Sequence, residues 1–374
     1  MKKIIYMKPT KIPYEDLHSL NKPYFEELFQ TSKNTIESGW YILGNNVEEF
    51  ERSFAAANNS KFCLGVASGL DALILGIMAF DFPKNSKILV PSNTYIATIL
   101  SIIRADLIPI LVEPDPFTYN ITRAGLEDMY DNDCVAIMPV HLYGRICPMK
   151  EILDFANEKG LIVIEDCAQS HFAKIEGRNA GTFGDIGAFS FYPTKNLGAL
   201  GDAGAILCKN ESVYLKLKAL RNYGSEKKYN FKFLGLNSRL DEIQAAFLNL
   251  KLKDFNNVIS HKSQLASIYL KELKEIVNLQ LPVDSKDGCV WHIFNILTDK
   301  RDELATYLKT QGITTDIHYP IAPHNQEAYK ELFGSRQYPI STKIHERTLS
   351  LPISMIHNDN DIHYICDCIK TFFK

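Results

Sequence analysis

Residues 181–204 read GTFGDIGAFSFYPTKNLGALGDAG. In this stretch an apolar run, IGAFSFY, leads to a single lysine, Lys195, with glycines on both sides. Because glycine lets the backbone approach neighbouring groups closely, we expect this lysine to be shielded from solvent. A shielded amine is either a reactive group or the partner of a buried carboxylate. The residues alone leave both interpretations open.

Six further apolar runs of similar length lie between residues 61 and 208: KFCLGV, KILVPS, IPILVE, CVAIMPV, LIVIED and AGAILC. Segments with helical periodicity separate most of them. Short apolar strands that alternate with helices predict an α/β fold whose sheet is buried on both faces. In such folds ligands bind at the carboxyl ends of the strands, which is where Lys195 follows IGAFSFY.

The second half of the chain has a different pattern. Residues 209–253 have helical periodicity, and beyond them helices mix with prolines and a strand-like run, VWHIFNIL. A chain of 374 residues is also too long for one ordinary core. We therefore predict two domains: a large α/β domain over residues 1–255 and a smaller α+β domain over residues 256–374.

Composition narrows the possible partners and compartment. Lys and Arg number 41 against 44 Asp and Glu, so the chain lacks the basic excess that nucleic-acid binding requires. Eight scattered cysteines without metal-ligand spacing predict buried thiols, no metal site and a reducing cytoplasm. The N-terminus has no signal-peptide pattern, and Arg104 and Asp106 interrupt the most apolar stretch. We expect a cytoplasmic protein with neither nucleic acid nor membrane as a partner.

Two more segments place polar groups where strands end. Ser68 and Gly69 form a predicted strand-to-helix turn, whose free N–H groups suit a phosphate; the alternative is an ordinary helix cap. The run LIVIED ends in Glu165 and Asp166. A carboxylate at a buried strand end needs a cation, for which a protonated ring nitrogen would serve, unless it caps a helix.

Six motifs occur in a fixed order: ASGLDAL, PSNTYIAT, PVHLYG, EDCAQSH, FSFYPTKNLGALGDAG and LNSRLDEIQAA. Together they resemble the DegT/DnrJ/EryC1/StrS family of pyridoxal-phosphate-dependent sugar aminotransferases, and the resemblance covers about residues 10 to 370. It implies a fold-type I enzyme: a large domain with a mixed seven-stranded sheet, a smaller C-terminal α+β domain, and pyridoxal phosphate as cofactor.

The resemblance implies roles for individual residues. Lys195 matches the lysine that binds the cofactor covalently and later moves a proton. Asp166 matches the carboxylate that keeps the pyridine nitrogen protonated, and Gln169 matches a residue near the 3-hydroxyl of the ring. The remaining matches are Ser68, Gly69, Leu70 and Ser190 to the phosphate, and Tyr95 to the ring face. Tyr95 has an alternative as a core tyrosine. Leu70 stands where many relatives carry Thr, so backbone N–H groups must replace a hydroxyl.

Asn237 matches an asparagine that reaches the cofactor phosphate of the neighbouring subunit, which implies a homodimer with shared sites. The following Ser238-Arg239-Leu240-Asp241 predicts a capping box that opens a helix, with Asn237 just outside it.

The motifs are most similar to aminotransferases that act on dTDP-3-keto-6-deoxyhexoses. The resemblance implies L-glutamate as donor and a dTDP-3-amino-3,6-dideoxyhexose for surface polysaccharides as product. Candidate hexose contacts are Tyr192, His318 and Tyr319, although His318-Tyr319 could be a plain loop. Candidate contacts to the diphosphate and base are Arg221, Tyr223 and Tyr229, although a solvated charged loop is the alternative.

Four other functions are alternatives for a chain of this pattern. A 4-keto sugar aminotransferase has the same machinery, and the configuration at C4 of the hexose stays open. A sugar dehydratase of this fold has His in place of Lys195. A non-catalytic pyridoxal-binding regulator usually carries a basic DNA-binding extension, which this chain lacks. A nicotinamide oxidoreductase would need a G-x-G-x-x-G motif after the first strand.

Overall fold

All seven predicted strands form, and they make one sheet. The computed structural model describes residues 11–284 and 288–374. The strands are β1 (Phe62–Val66), β2 (Lys87–Pro91), β3 (Ile108–Val112), β4 (Cys134–Ile137), β5 (Ile162–Asp166), β6 (Lys174–Ile175), β7 (Arg178–Asn179), β8 (Ile186–Ser190), β9 (Gly204–Cys208), β10 (Ser225–Lys227), β11 (Asn230–Phe231), β12 (Phe294–Leu297) and β13 (Thr348–Leu351).

Helices surround this sheet and build the C-terminal part. They are α1 (Leu17–Asn21), α2 (Phe25–Ser38), α3 (Asn45–Ala57), α4 (Gly69–Met78), α5 (Ile96–Arg104), α6 (Arg123–Met129), α7 (Met149–Lys159), α8 (Glu211–Leu220), α9 (Glu242–Leu252), α10 (Phe255–Leu273), α11 (Arg301–Thr310), α12 (Pro339–Arg347) and α13 (Asp359–Phe372). Within the described ranges, none of these helices is both long and apolar enough to cross a bilayer.

The large sheet is mixed, as predicted. Its strand order is β1-β9-β8-β5-β4-β2-β3, with β9 antiparallel to both of its neighbours and the other pairs parallel. Successive residues of a strand belong to different hydrophobic clusters: Val163 to the one that includes Phe54 of α3, and Ile164 to the one that includes Leu75 of α4. Both faces are therefore buried, and the polar strand ends are what remains available for chemistry.

A third hydrophobic cluster lies in the C-terminal part, where α10, α11 and α13 pack with the two-stranded sheet β12-β13. Ile12 belongs to this cluster too and pairs with Ile313, a long-range contact that chain order does not reveal. The boundary between residues 255 and 256 falls at the start of α10 and stays a prediction. Residues 1–10 of the first predicted domain lie outside the described residues.

The cysteines are free thiols, and seven of the eight are buried. Cys289 is the partly exposed one.

The prediction of helix from the periodicity of residues 209–253 holds at the two ends of this stretch and is wrong in its middle. α8 ends at Leu220, the hairpin β10-β11 follows, and α9 begins at Glu242. Gly224 explains the interruption: its φ is +77°, and a Cβ there would lie 1.8 Å from the Phe233 carbonyl oxygen. This close backbone contact requires a turn in place of a helix, and apolar periodicity does not register it.

The predicted capping box is also wrong. Asp241 stands at the N-cap of α9 without a side-chain hydrogen bond, and the Ser238 hydroxyl accepts from the Ala67 N–H at 3.1 Å instead. Glu242 is 2% exposed and caps a different helix, α3. Its carboxylate accepts from the N–H groups at the start of that helix: Gly44 at 2.7 Å, Asn46 at 2.9 Å and Val47 at 2.9 Å.

This contact predicts a stability effect. Glu242→Ala leaves three N–H groups without an acceptor, and we expect a loss of about 2–4 kcal/mol in the free energy of unfolding. Urea denaturation followed by circular dichroism measures it. Glu48→Ala, an exposed substitution in the first turn of α3, is the matched control and should cost less than about 0.5 kcal/mol. Equal losses in the two variants would contradict the cap.

Candidate active site

A cavity of about 660 Å³ opens at the carboxyl ends of β5 and β8, beside the N-terminus of α4. Its wall also includes the segment around His318 from the C-terminal part. The predicted site residues that line it are Ser68, Gly69, Leu70, Tyr95, Asp166, Gln169, Ser190, Tyr192, Lys195, His318 and Tyr319. Residues up to 251 positions apart in sequence thus meet in one place, because parallel strands end at the same edge of a sheet.

Asp166 ends β5 and is 6% exposed. One carboxylate oxygen accepts from the Thr98 hydroxyl at 2.8 Å, and the other accepts from the Ala168 N–H at 3.1 Å. Burial raises the pKa of Asp166, while these two hydrogen bonds and the charge of Lys195 oppose the rise. The group is held rigidly with only partial compensation for its buried charge, so it favours a cation in the cavity.

Lys195 follows β8 and is half-buried in the same cavity. Among the described residues no carboxylate lies within ion-pair distance of its amine. The interpretation as a buried ion-pair partner is therefore wrong. Burial lowers the pKa of Lys195 to about 8, with the charge of Asp166 acting in the opposite direction. A large fraction of the amine is neutral near pH 8 and can act as a nucleophile or base.

The N-terminus of α4 is both capped and available. The Ser68 hydroxyl accepts from the Asp71 N–H at 3.1 Å, but the N–H groups of Gly69 and Leu70 have no acceptor in the part of the chain that the structure describes. A Cβ on Gly69 would lie 2.5 Å from the Ser190 Cβ, so glycine lets Ser190 approach the helix end. This cradle of N–H groups and hydroxyls fits a phosphate.

Gln169 connects two parts of the wall. Its side-chain oxygen accepts from the Tyr143 N–H at 2.5 Å, and its amide donates to the Tyr319 hydroxyl at 3.1 Å. The Tyr319 ring in turn lies 5.0 Å from the Tyr95 ring between centroids. Tyr95 is half exposed, so its alternative as a core tyrosine is wrong.

His318 is held by both its ring and its backbone. The Nδ1 atom lies 2.9 Å from the Ser350 hydroxyl, and the carbonyl accepts from the Tyr143 hydroxyl at 2.5 Å. These two contacts hold His318 at a fixed position in the cavity wall, so it is not part of an unconstrained loop.

Four predicted contacts lie outside this cavity. Arg221 is 5% exposed, and its guanidinium pairs with Glu51 and donates to the Gly65 carbonyl at 2.7 Å. This structural ion pair corrects the predicted diphosphate contact. The other three residues are exposed and do not line the cavity: Tyr223, Tyr229 and Asn237.

Sequence reasoning missed Thr98 and His292, which line the cavity. Thr98 stands three residues after Tyr95 in PSNTYIAT, and His292 is the one ionisable residue of VWHIFNIL. Because Thr98 follows the predicted site residue Tyr95 by about one helical turn, its spacing could have indicated that it faces the same site. An isolated histidine in a strand-like run gave no such spacing.

A buried cluster of His141, Glu165 and Cys167 has a geometry that a metal could use. Both ring nitrogens of His141 are occupied, however: Nε2 lies 2.9 Å from the Glu165 carboxylate, and Nδ1 accepts from the Cys147 N–H at 3.1 Å. Glu165 also accepts from two backbone N–H groups. The cluster functions as a hydrogen-bond network that supports the end of β5.

The electrostatics predict a change in Lys195 reactivity. Because the Asp166 charge raises the pKa of Lys195, Asp166→Asn should lower it below about 8 and raise the acylation rate of Lys195 at pH 7 roughly two- to tenfold. The measurement is the pH dependence of acylation in cofactor-free protein, read by peptide mass spectrometry. Lys251 is the internal control: burial alone lowers its pKa to about 8, so its rate should stay constant. Titration of wild-type Lys195 near 10.5 would contradict the account.

Comparison with known proteins agrees with this geometry. The sequence model of the DegT/DnrJ/EryC1/StrS aminotransferase family matches residues 24–370. The dTDP-3-amino-3,6-dideoxy-alpha-D-galactopyranose transaminase of Aneurinibacillus thermoaerophilus is 45% identical, over 96% of this chain and 99% of that protein.

Two solved structures are similar over nearly the whole chain. Streptomyces venezuelae DesV, in complex with a ketimine intermediate, has a TM-score of 0.95 at 35% identity and covers 97% of this chain and 99% of its own. NtdA from Bacillus subtilis, with bound cofactor PMP, has a TM-score of 0.90 at 28% identity and covers 98% of this chain and 87% of its own. Sequence and structure thus agree that the chain belongs to the DegT/DnrJ/EryC1/StrS aminotransferase family.

Proposed function

We propose that this enzyme uses pyridoxal phosphate to transfer the amino group of L-glutamate to C3 of a dTDP-linked 3-keto-6-deoxyhexose. The observation that carries the proposal is the cavity in which an unpaired amine, Lys195, and a buried carboxylate, Asp166, lie beside a free helix N-terminus. The 45% identical relative, named for a dTDP-3-amino-3,6-dideoxygalactose, supports the sugar class.

The residues present fit this cofactor. The free N–H groups of Gly69 and Leu70, together with Ser68 and Ser190, would hold its phosphate. Asp166 would hold a proton on the pyridine nitrogen, because its buried charge needs a cation. The other predicted contacts from the same wall are Tyr95 to the ring face and Gln169 near the 3-hydroxyl.

Pyridoxal phosphate supplies a carbonyl group that binds amines and a conjugated ring that accepts electrons. Lys195 would hold the cofactor through its amine and, once released, would accept a proton from the amino donor and return it to the product side. A pKa near 8 suits this proton transfer, since the amine can both accept and release a proton near neutral pH. Overall an amino acid and a ketone become a keto acid and an amine.

The sugar would lie against Tyr192, His318 and Tyr319, which line the cavity near Lys195. Tyrosine hydroxyls donate and accept hydrogen bonds, as the hydroxyls of a hexose require. Tyr319 is already oriented by Gln169, and His318 by Ser350, so these contacts are preorganised. Tyr223 and Tyr229 remain candidate contacts to the nucleotide. They would contact the nucleotide bound in the site of a second subunit.

We further propose a homodimer in which Asn237 completes the partner's site. Asn237 and Tyr229 are exposed in the single chain, and Tyr229 is 80% exposed. Large apolar side chains are exposed on the same chain and would be covered by a second copy: Phe29, Ile36, Trp40, Tyr41, Leu200, Phe231 and Leu234. The free cysteines support a reducing compartment such as the cytoplasm.

Product analysis tests the function. The enzyme is incubated with L-glutamate and the gluco or galacto form of dTDP-3-keto-6-deoxyhexose, and the product is identified by mass spectrometry and NMR. We expect amination at C3 with one equivalent of 2-oxoglutarate, and at least a 1,000-fold lower rate for Lys195→Ala, on the order of a lost catalytic group. Amination of a 4-keto hexose in preference to the 3-keto sugars would contradict the proposed position.

Subunit complementation tests the dimer. Lys195→Ala and Asn237→Ala chains are each expected to be strongly impaired, because each lacks one group of every site. After random subunit exchange, half of the dimers are mixed and each has one intact site, so activity should recover to about a quarter of the wild-type value. Full activity of a monomer, shown by light scattering, would contradict the shared site.

A further inference from the structure

Three side chains that the proposed mechanism does not use form a hydrogen-bonded chain ending at the active-site cavity. Lys262 on α10 is 6% exposed, and among the described residues it has no acidic partner. Its amine donates to the Asn196 side-chain oxygen at 2.8 Å and to the His292 carbonyl at 3.1 Å. The His292 Nδ1 atom lies 3.3 Å from the same Asn196 oxygen. The buried amine of Lys262 thus fixes the side chain of Asn196, the residue that follows Lys195 in the chain.

The orientation of Asn196 is fixed at both ends. The protonated amine of Lys262 can only donate, so the amide oxygen must face it. The Val290 carbonyl can only accept, and it lies 3.0 Å from the amide nitrogen. Since the oxygen also faces the His292 Nδ1 atom, that ring nitrogen must carry a proton.

The same ring therefore presents a lone pair at its other nitrogen. Burial, followed by the positive charges of Lys195 and Lys262, holds the pKa of His292 well below its usual range, so the ring is neutral. With the proton on Nδ1, Nε2 is an acceptor. The ring lines the cavity with Lys195, and Nε2 has no hydrogen-bond partner within the described ranges.

The other two histidines near Lys195 have different contacts. The Nδ1 atom of His318 lies 2.9 Å from the Ser350 hydroxyl, while its Nε2 atom, 3.8 Å from the Asp316 carboxylate, is beyond hydrogen-bond distance. His171 is fully buried, with Nε2 against the Ser190 carbonyl at 2.9 Å. His292 thus offers the sugar a nitrogen acceptor in addition to the contact proposed for His318.

We propose that the His292 Nε2 atom accepts a hydrogen bond from a hydroxyl group of the sugar substrate, and that Lys262, through Asn196, is the positioning residue that fixes this tautomer. The inference rests on the proposed function. An uncharged lone pair suits a neutral hydroxyl, whereas it would repel the carboxylates of an amino donor. His292 should therefore affect the sugar half-reaction and leave the glutamate half-reaction unchanged.

Half-reaction kinetics of the holoenzyme test the role of His292. In His292→Phe, kcat/KM for the keto sugar should fall roughly 10- to 100-fold, while the glutamate half-reaction stays within about twofold. His292→Gln keeps an acceptor near the Nε2 position and should recover part of the loss. Equal losses in both half-reactions, or no loss in the sugar half-reaction, would overturn the proposal.

The positioning role of Lys262 has its own test. Lys262→Met should slow the sugar half-reaction in wild-type protein but add no loss in the His292→Phe background, because it acts through His292. Lys251→Met is the matched control, since Lys251 donates to the Gly198 carbonyl at 2.7 Å and, in the described part of the chain, has no hydrogen bond to Asn196 or His292. If the losses of the two single variants added in the double variant, Lys262 would not act through His292 and the positioning role would be overturned. If Lys262→Met lowers the melting temperature strongly, Asn196→Leu replaces it, with the same expected pattern.

Nitrogen NMR of histidine-labelled protein separates this inference from the proposed function, because it needs no turnover. The His292 signals, assigned by their loss in His292→Phe, should show a protonated Nδ1 and an unprotonated Nε2, and Lys262→Met should mix the two tautomers. A protonated Nε2 in wild-type protein would overturn the inference alone. A correct tautomer without amination of any keto sugar nucleotide would overturn the proposed function, and the sugar contact with it.

Discussion

The buried carboxylate of Asp166 is the constraint on which the rest of the site depends. Taking a carboxylate out of water costs several kcal/mol unless hydrogen bonds and a cation compensate. The Thr98 hydroxyl and the Ala168 N–H provide two hydrogen bonds, and no ion pair completes the compensation within the described ranges. Keeping a negative charge at the end of β5 therefore lowers the stability of the fold. In the proposed function, a protonated ring nitrogen of the cofactor would be the cation that compensates this charge.

The surrounding strands and helices fix the position of this charge relative to Lys195. Parallel pairing of β5 with β8 brings Asp166 and Ser190 to one edge, and Gly69 lets the end of α4 approach Ser190. Gln169, also in the cavity wall, donates a hydrogen bond to Tyr319, which belongs to the C-terminal part of the chain. The cavity is thus built from both halves of the chain, so movement of one half against the other would change the space for a sugar while leaving Asp166 in place.

Much of this arrangement is predictable from sequence, for a physical reason. Strands buried on both faces are continuous apolar runs, so all seven are visible, and polar residues directly after them, such as Asp166 and Lys195, must lie at the sheet edge. Helical periodicity was less informative between residues 209 and 253, because it does not register the close backbone contact of Gly224. Arg221 was misassigned because its carboxylate partner, Glu51, is 170 residues away. The relay through Lys262, Asn196 and His292 joins three distant segments and leaves no pattern in any of them.

The central claim is that Lys195 is the amine that binds the cofactor, and covalent labelling tests it most directly. Lys195, Lys251 and Lys262 all have a pKa lowered to about 8 by burial, so low basicity alone does not distinguish them. Only Lys195 shares the cavity with Asp166 and the free end of α4. After addition of pyridoxal phosphate and reduction with borohydride, peptide mass spectrometry should find the cofactor on Lys195 at about one equivalent per chain. Stoichiometric label on Lys251 or Lys262, with Lys195 unmodified, would contradict the account.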